Sequence, residues 1–202
     1  NETQTDFLTA DIVFSAVQAR HNEGFQCEEP VVACEIVESY ADEIIVVNQG
    51  RKKDGSAIAG DRSDATFALG APQSLGTPYD NPVTPSSFFA LGFPSAPFDD
   101  SDGSASIILS FNDNFVVNGP GADLKLWEVT GGSNYPDERV DVYVGDTPIG
   151  PWTQVGFEVT RDAEIELGAV AEARYVRIDD ASDISLFTDS ADGYDLDAVQ
   201  AL

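Results

Sequence analysis

A chain of 202 residues is long enough for one domain with a sizeable core, or one domain and an extension. Lys and Arg number 10 against 36 Asp and Glu, a formal charge of −26. Such a surface repels phosphate backbones and anionic lipid headgroups, which argues against nucleic-acid and membrane-surface partners. It attracts cations and tolerates high salt, where screening removes much of the self-repulsion. No apolar run is long enough to insert in a bilayer. Asn at position 1 and the absence of Met are what a processed N-terminus would leave.

The apolar residues fall in short alternating runs rich in Val, Ile, Phe and Tyr, broken by Gly, Pro, Asn and Asp. That pattern predicts an all-β sandwich. Residues 11–18 read as a first strand and 31–37 as a second, with Cys27 and Cys34 bracketing EEPVVA between them. A disulfide there would staple an N-terminal hairpin and suit an exported protein; two reduced thiols are the alternative. Residues 43–48 form a nearly continuous apolar run, expected as a strand buried on both faces. The polar stretch 49–64 holds Arg51, Lys52 and Lys53, a basic trio read as a solvated loop. Strands follow at 88–92, 104–111 and 123–129. In the last, Leu124 and Leu126 face one way with Glu128, and Lys125 and Trp127 the other. Residues 139–144 pair with 152–159, and 173–179 form a strong strand.

The closing stretch, 189–202, reads as a carboxylate-bearing loop running into a terminal strand. Asp192-Gly193 is a turn signal. Beyond it Tyr194, Leu196 and Ala198 alternate with Asp195, Asp197 and Val199, so Asp195 and Asp197 should project from one face. Carboxylates held that close repel unless a cation sits among them, and Ca²⁺, with its oxygen ligands, is the natural candidate outside a cell. A solvated acidic edge that discourages strand pairing is the competing reading.

Several stretches together resemble a known class. RSDATFALGAPQ at 62–73, FALGF at 89–93, SIILSF at 106–111, NGPGADL at 118–124 with Glu128, and DGYDLDAV at 192–199 are similar, in order and wording, to secreted bacterial surface proteins of the PEP-CTERM-associated type. VYV at 142–144 with Trp152, and ARYVRI at 173–178, resemble the discoidin-like (galactose-binding-like) β-sandwich. The resemblance covers about residues 40–202 and implies a jelly-roll sandwich that often holds a structural Ca²⁺. Residues 1–39 have no counterpart in it and stand as an extra hairpin-bearing extension before a sandwich domain at 40–202. Resemblance and residue type together nominate Asp64, Asp123, Asp192, Asp195 and Asp197 as calcium ligands.

Catalytic chemistry has little to stand on. The one histidine, His21, lies in a polar loop, and there is no nucleophile elbow, paired-His motif or phosphate loop. The expectation is therefore a non-enzymatic, extracellular, calcium-stabilised surface protein, structural or adhesive. Phe7, Leu8, Ile12, Val13 and Phe14 form an extended apolar segment that could complete a neighbouring copy's sheet and build a filament. The alternative is a lectin-like carbohydrate-binding module, with Tyr79, Tyr135 and Trp152 as candidate stacking rings; for Trp152 a hairpin core anchor is the preferred role.

Overall fold

A computed structural model describes residues 39–73, 87–94, 105–112, 114–129 and 134–202. The strand-addition segment, the cysteine pair, residues 1–38 of the extension and Tyr79 lie outside these residues.

Two antiparallel sheets enclose one core. The first runs β1 (Ser39–Tyr40), β12 (Asp195–Ala201), β6 (Leu124–Glu128), β9 (Glu164–Ile165), with β3 (Phe89–Ala90) also pairing β12. The second runs β2 (Glu43–Asn48), β4 (Ser106–Ser110), β11 (Tyr175–Asp180), β7 (Val140–Gly145), β8 (Thr153–Val159). A short ladder joins β5 (Val116–Val117) to β10 (Glu172–Ala173). Among the described residues the helical segments are three short 3-10 turns, at Gly60–Arg62, Ala65–Ala68 and Ile184–Leu186. No helix among these residues is long and apolar enough to cross a membrane.

The period-2 pattern decides which side chains meet between the sheets. Leu124 and Leu126 point inward from β6, Val140, Val142 and Val144 from β7, and Val176 and Ile178 from β11. Lys125 and Trp127 face outward, as their alternation requires. The expected pairing of 139–144 with 152–159 is the β7–β8 ladder.

Two sequence expectations are corrected. β2 is not buried on both faces: among the described residues it pairs only with β4, and Val46 and Val47 are each 38% exposed. The alternation along β12 is interrupted by a bulge between Leu196 and Ala198. One extra residue there resets the facing side, so the core receives Tyr194, Leu196 and Val199, with Ala201 packed against them, in place of Ala198.

The loop after β2 is stitched down, not merely solvated. Gly50 N–H donates to Leu91 O, Arg51 and Phe93 exchange backbone bonds, and Lys53 N–H donates to Ala191 O. The Lys53 ammonium donates to Phe187 O at 2.6 Å. The loop leads into the 3-10 turn Ala65–Ala68, which lies against β12 and β3, and delivers Arg62 to the carboxylates of the terminal turn.

Candidate functional site

Three inward rows of side chains share an unusual ending. The β6 row runs Leu124, Leu126, Glu128; the β11 row runs Val176, Ile178, Asp180; and the β7 row, extended one step before the strand, runs Val144, Val142, Val140, Glu138. Antiparallel pairing of Asp180 with Val140, and of Leu196 with Glu128, brings these ends to one end of the sandwich. The turn before β12 adds Asp192 and Asp195. Five carboxylates thus collect at one end of an apolar core, all at least nine-tenths buried.

The turn that supplies the last two depends on Gly193. Its φ is +72°, a left-handed conformation that a side chain resists, and a β-carbon there would lie 2.8 Å from the Gly92 carbonyl. The same turn lets Tyr194 N–H donate to Asp180 Oδ2 at 3.1 Å. Ser182 donates to Asp180 as well, N–H to Oδ1 at 3.1 Å and hydroxyl to Oδ2 at 3.2 Å.

Arg62 is the one cationic side chain lining the adjoining pocket, among the described residues. Its Nη1 lies 2.7 Å from Asp192 Oδ2, and its Nη2 pairs with Asp195 Oδ2. The guanidinium sits over the Phe88 ring, 4.6 Å from its centroid. On the opposite wall Tyr135 packs against Phe187, centroids 5.6 Å apart, and Phe187 in turn against Phe93 at 5.5 Å. The cavity is about 410 Å³ and is completed by polar groups including Thr188 and Ser190.

Burial raises the proton affinity of Glu138, Asp195 and Asp180, and mutual repulsion adds to it for the first two. Burial, then the charges of Asp195 and Glu128, push the Glu138 carboxyl well above its ordinary range. Burial likewise lifts Asp195, against the pull of Arg62. Asp180 rises to about 7, again from burial, opposed by its hydrogen bonds from Tyr194 and Ser182. Burial and the nearby acids raise the Tyr135 phenol, which hydrogen-bonds Glu138. The shifts favour the protonated, donating form of Glu138 and Asp195, beside the donating guanidinium of Arg62.

The five acids nominated for calcium do not form one set. Asp192 and Asp195 meet in the pocket, where Arg62 already engages both. Asp64 caps a 3-10 turn by accepting from Thr66 N–H at 3.0 Å and its hydroxyl at 2.6 Å. Asp123 accepts from Gly119 N–H at 2.7 Å and Leu167 N–H at 2.8 Å. Asp197 accepts from Gln73 N–H at 3.0 Å. Among the described residues no three His, Cys, Asp or Glu side chains are grouped so as to hold a metal ion. Of the candidate rings, Tyr135 lines the pocket, and Trp152 packs against Gly145 and Gly150 of the β7–β8 hairpin. Sequence reasoning did not single out Glu138, Asp180 or the pairing role of Arg62. The available signal was parity: Glu138 and Asp180 each continue an inward-facing row.

No family model matches the chain, and no curated protein matches it. Among solved structures, "CBM32 of AlyQ in complex with 4,5-unsaturated mannuronic acid" is similar over 80% of this chain and 97% of its own, at 13% identity and a TM-score of 0.34.

Proposed function

We propose that this protein is a non-catalytic, extracellular carbohydrate-binding module that seats a small sugar in the pocket between Arg62 and Tyr135. The observation that carries the reading is the make-up of that pocket. Its walls combine a guanidinium, carboxyl groups and aromatic rings within about 410 Å³. Sugar hydroxyls both donate and accept, so they need partners of both kinds, and the C–H face of a pyranose needs an apolar ring beside them. The excess negative charge favours neutral or amino sugars over uronic acids. Glycan-array screening followed by calorimetry tests this: a small neutral or amino sugar should bind, and Tyr135→Ala should weaken it at least tenfold. An array without a binder would overturn it.

A calcium ion beside Asp192 and Asp195 is a separate proposal, favoured by Asp195 Oδ1, a buried oxygen without a hydrogen-bond partner. Self-assembly by strand addition through Phe7–Phe14 is another, resting on sequence. Its test is sedimentation of the full chain against one lacking about 20 N-terminal residues, with assemblies expected only for the former.

A further inference from the structure

The outward face of the β1–β12–β6–β9 sheet carries a second depression, of about 360 Å³. Register places Glu164, Lys125, Gln200 and Tyr40 in one line across β9, β6, β12 and β1. With strands about 4.8 Å apart, that line spans about 14 Å. Trp127 lies two residues along β6 from Lys125 and shares its face, because Leu124 and Leu126 point into the core. These five side chains line the depression, with Pro72 at its side.

The indole is held in place by its neighbours. Its Nε1–H donates to Gln200 Oε1 at 3.0 Å, and the Lys125 ammonium lies over one face of the ring, 4.3 Å from its centroid. Lys125 is in turn 3.2 Å from Glu164. A ring fixed before a ligand arrives loses little side-chain freedom on binding.

We propose that this face binds a neutral polysaccharide chain, at a site separate from the Arg62 pocket. The indole offers to a pyranose ring the face that Lys125 does not cover, while Glu164 and Lys125 offer an acceptor and donors and the buried Gln200 holds the indole. Lys125 and Glu164 cancel each other's charge, and the surrounding −26 protein repels uronate or sulfated chains. An apolar peptide would have to strip water from that ion pair, at a desolvation cost. The lining lies on the sheet's face and not along an edge, so strand addition does not describe it. A glycan keeps the polar groups hydrogen-bonded.

The test is affinity electrophoresis of the full chain through gels containing xyloglucan, mixed-linkage β-glucan or galactomannan, with alginate as the anionic comparison. At least one neutral polymer should retard the protein and alginate should not. Trp127→Ala should weaken that retardation at least tenfold. Trp127→Phe, which keeps a ring to pack, should weaken it less, and the exposed Phe157→Ser should behave as wild type. The chain has 2 tryptophans, so Trp152→Phe isolates Trp127, whose emission should shift as the polymer saturates. No retardation by any neutral polymer overturns the proposal. So does retardation that survives Trp127→Ala, or an unmoved Trp127 emission at saturation. Failure of the pocket reading would appear instead as absent small-sugar binding, with this retardation intact.

Discussion

Raising the pH from about 4 to about 8 in a chelating buffer is expected to destabilise this protein, the reverse of ordinary acid denaturation. Burial lifts the Asp180 carboxyl from 3.8 to about 7. Between those values the folded chain holds a proton that the unfolded chain has released, so stability falls as pH rises. The stabilisation is fully present below the unfolded value and lost once pH passes the folded one. At 1.36 kcal/mol per unit, a gap of about three units is worth at most about 4 kcal/mol. A domain of this size loses about 2–4 °C of Tm per kcal/mol, so the fall is on the order of 10 °C. Glu138 and Asp195, also raised by burial, act in the same direction. Asp54, Asp64 and Asp183 act oppositely, since hydrogen bonds from Ser56, Thr66 and Ser185 lower them, but their titration lies below this window. Scanning calorimetry at constant ionic strength measures the effect, and Glu138→Gln, a neutral replacement of similar shape, should raise Tm at pH 8 more than at pH 5. A Tm that climbs steadily across the window would refute the reasoning about the buried carboxylates.

Arg62→Ala strands Asp192 and Asp195 beside each other and should cost about 2–3 kcal/mol in denaturant melts, less than a fully buried pair because the arginine side chain is 28% exposed. Adding Asp195→Asn should recover part of that loss; strictly additive effects would count against the pairing. Gly193→Ala forces a β-carbon into the Gly92 backbone at a positive φ and should cost about 3 kcal/mol, read in the same melts. If calcium binds at the acid end, an excess of about a hundredfold over its dissociation constant should add about 2.7 kcal/mol and flatten the pH dependence. A Tm indifferent to calcium at pH 8 would count against that proposal.

The sandwich was readable because alternation is a backbone property: Val140, Val142 and Val144 could only face one way once β7 was placed, and they do. The inside-outside division of β6 followed from the same rule. What the sequence hid were the departures from it. A bulge leaves no composition signal, so the reset at β12 could not be foreseen. Asp64, Asp123 and Asp197 were nominated by resemblance and residue type, and neither shows that each accepts from backbone N–H groups nearby or across the fold. Arg62 was obscure because its partners lie 130 and 133 residues away. Trp127 was placed on the face opposite Leu124 and Leu126, but only the lateral register of four strands reveals what surrounds it.

The irregularity in β12 has a consequence for how this chain can change. Insertions and deletions inside a paired, buried strand ordinarily turn every later side chain inside out. Here the surplus residue is already present. A chain lacking Asp197 would carry Tyr194, Leu196, Val199 and Ala201 to the interior in unbroken alternation, forfeiting the anchor for Gln73 N–H. The strand can therefore shorten by one unit at this single place without scrambling the interior, a freedom usually reserved for loops.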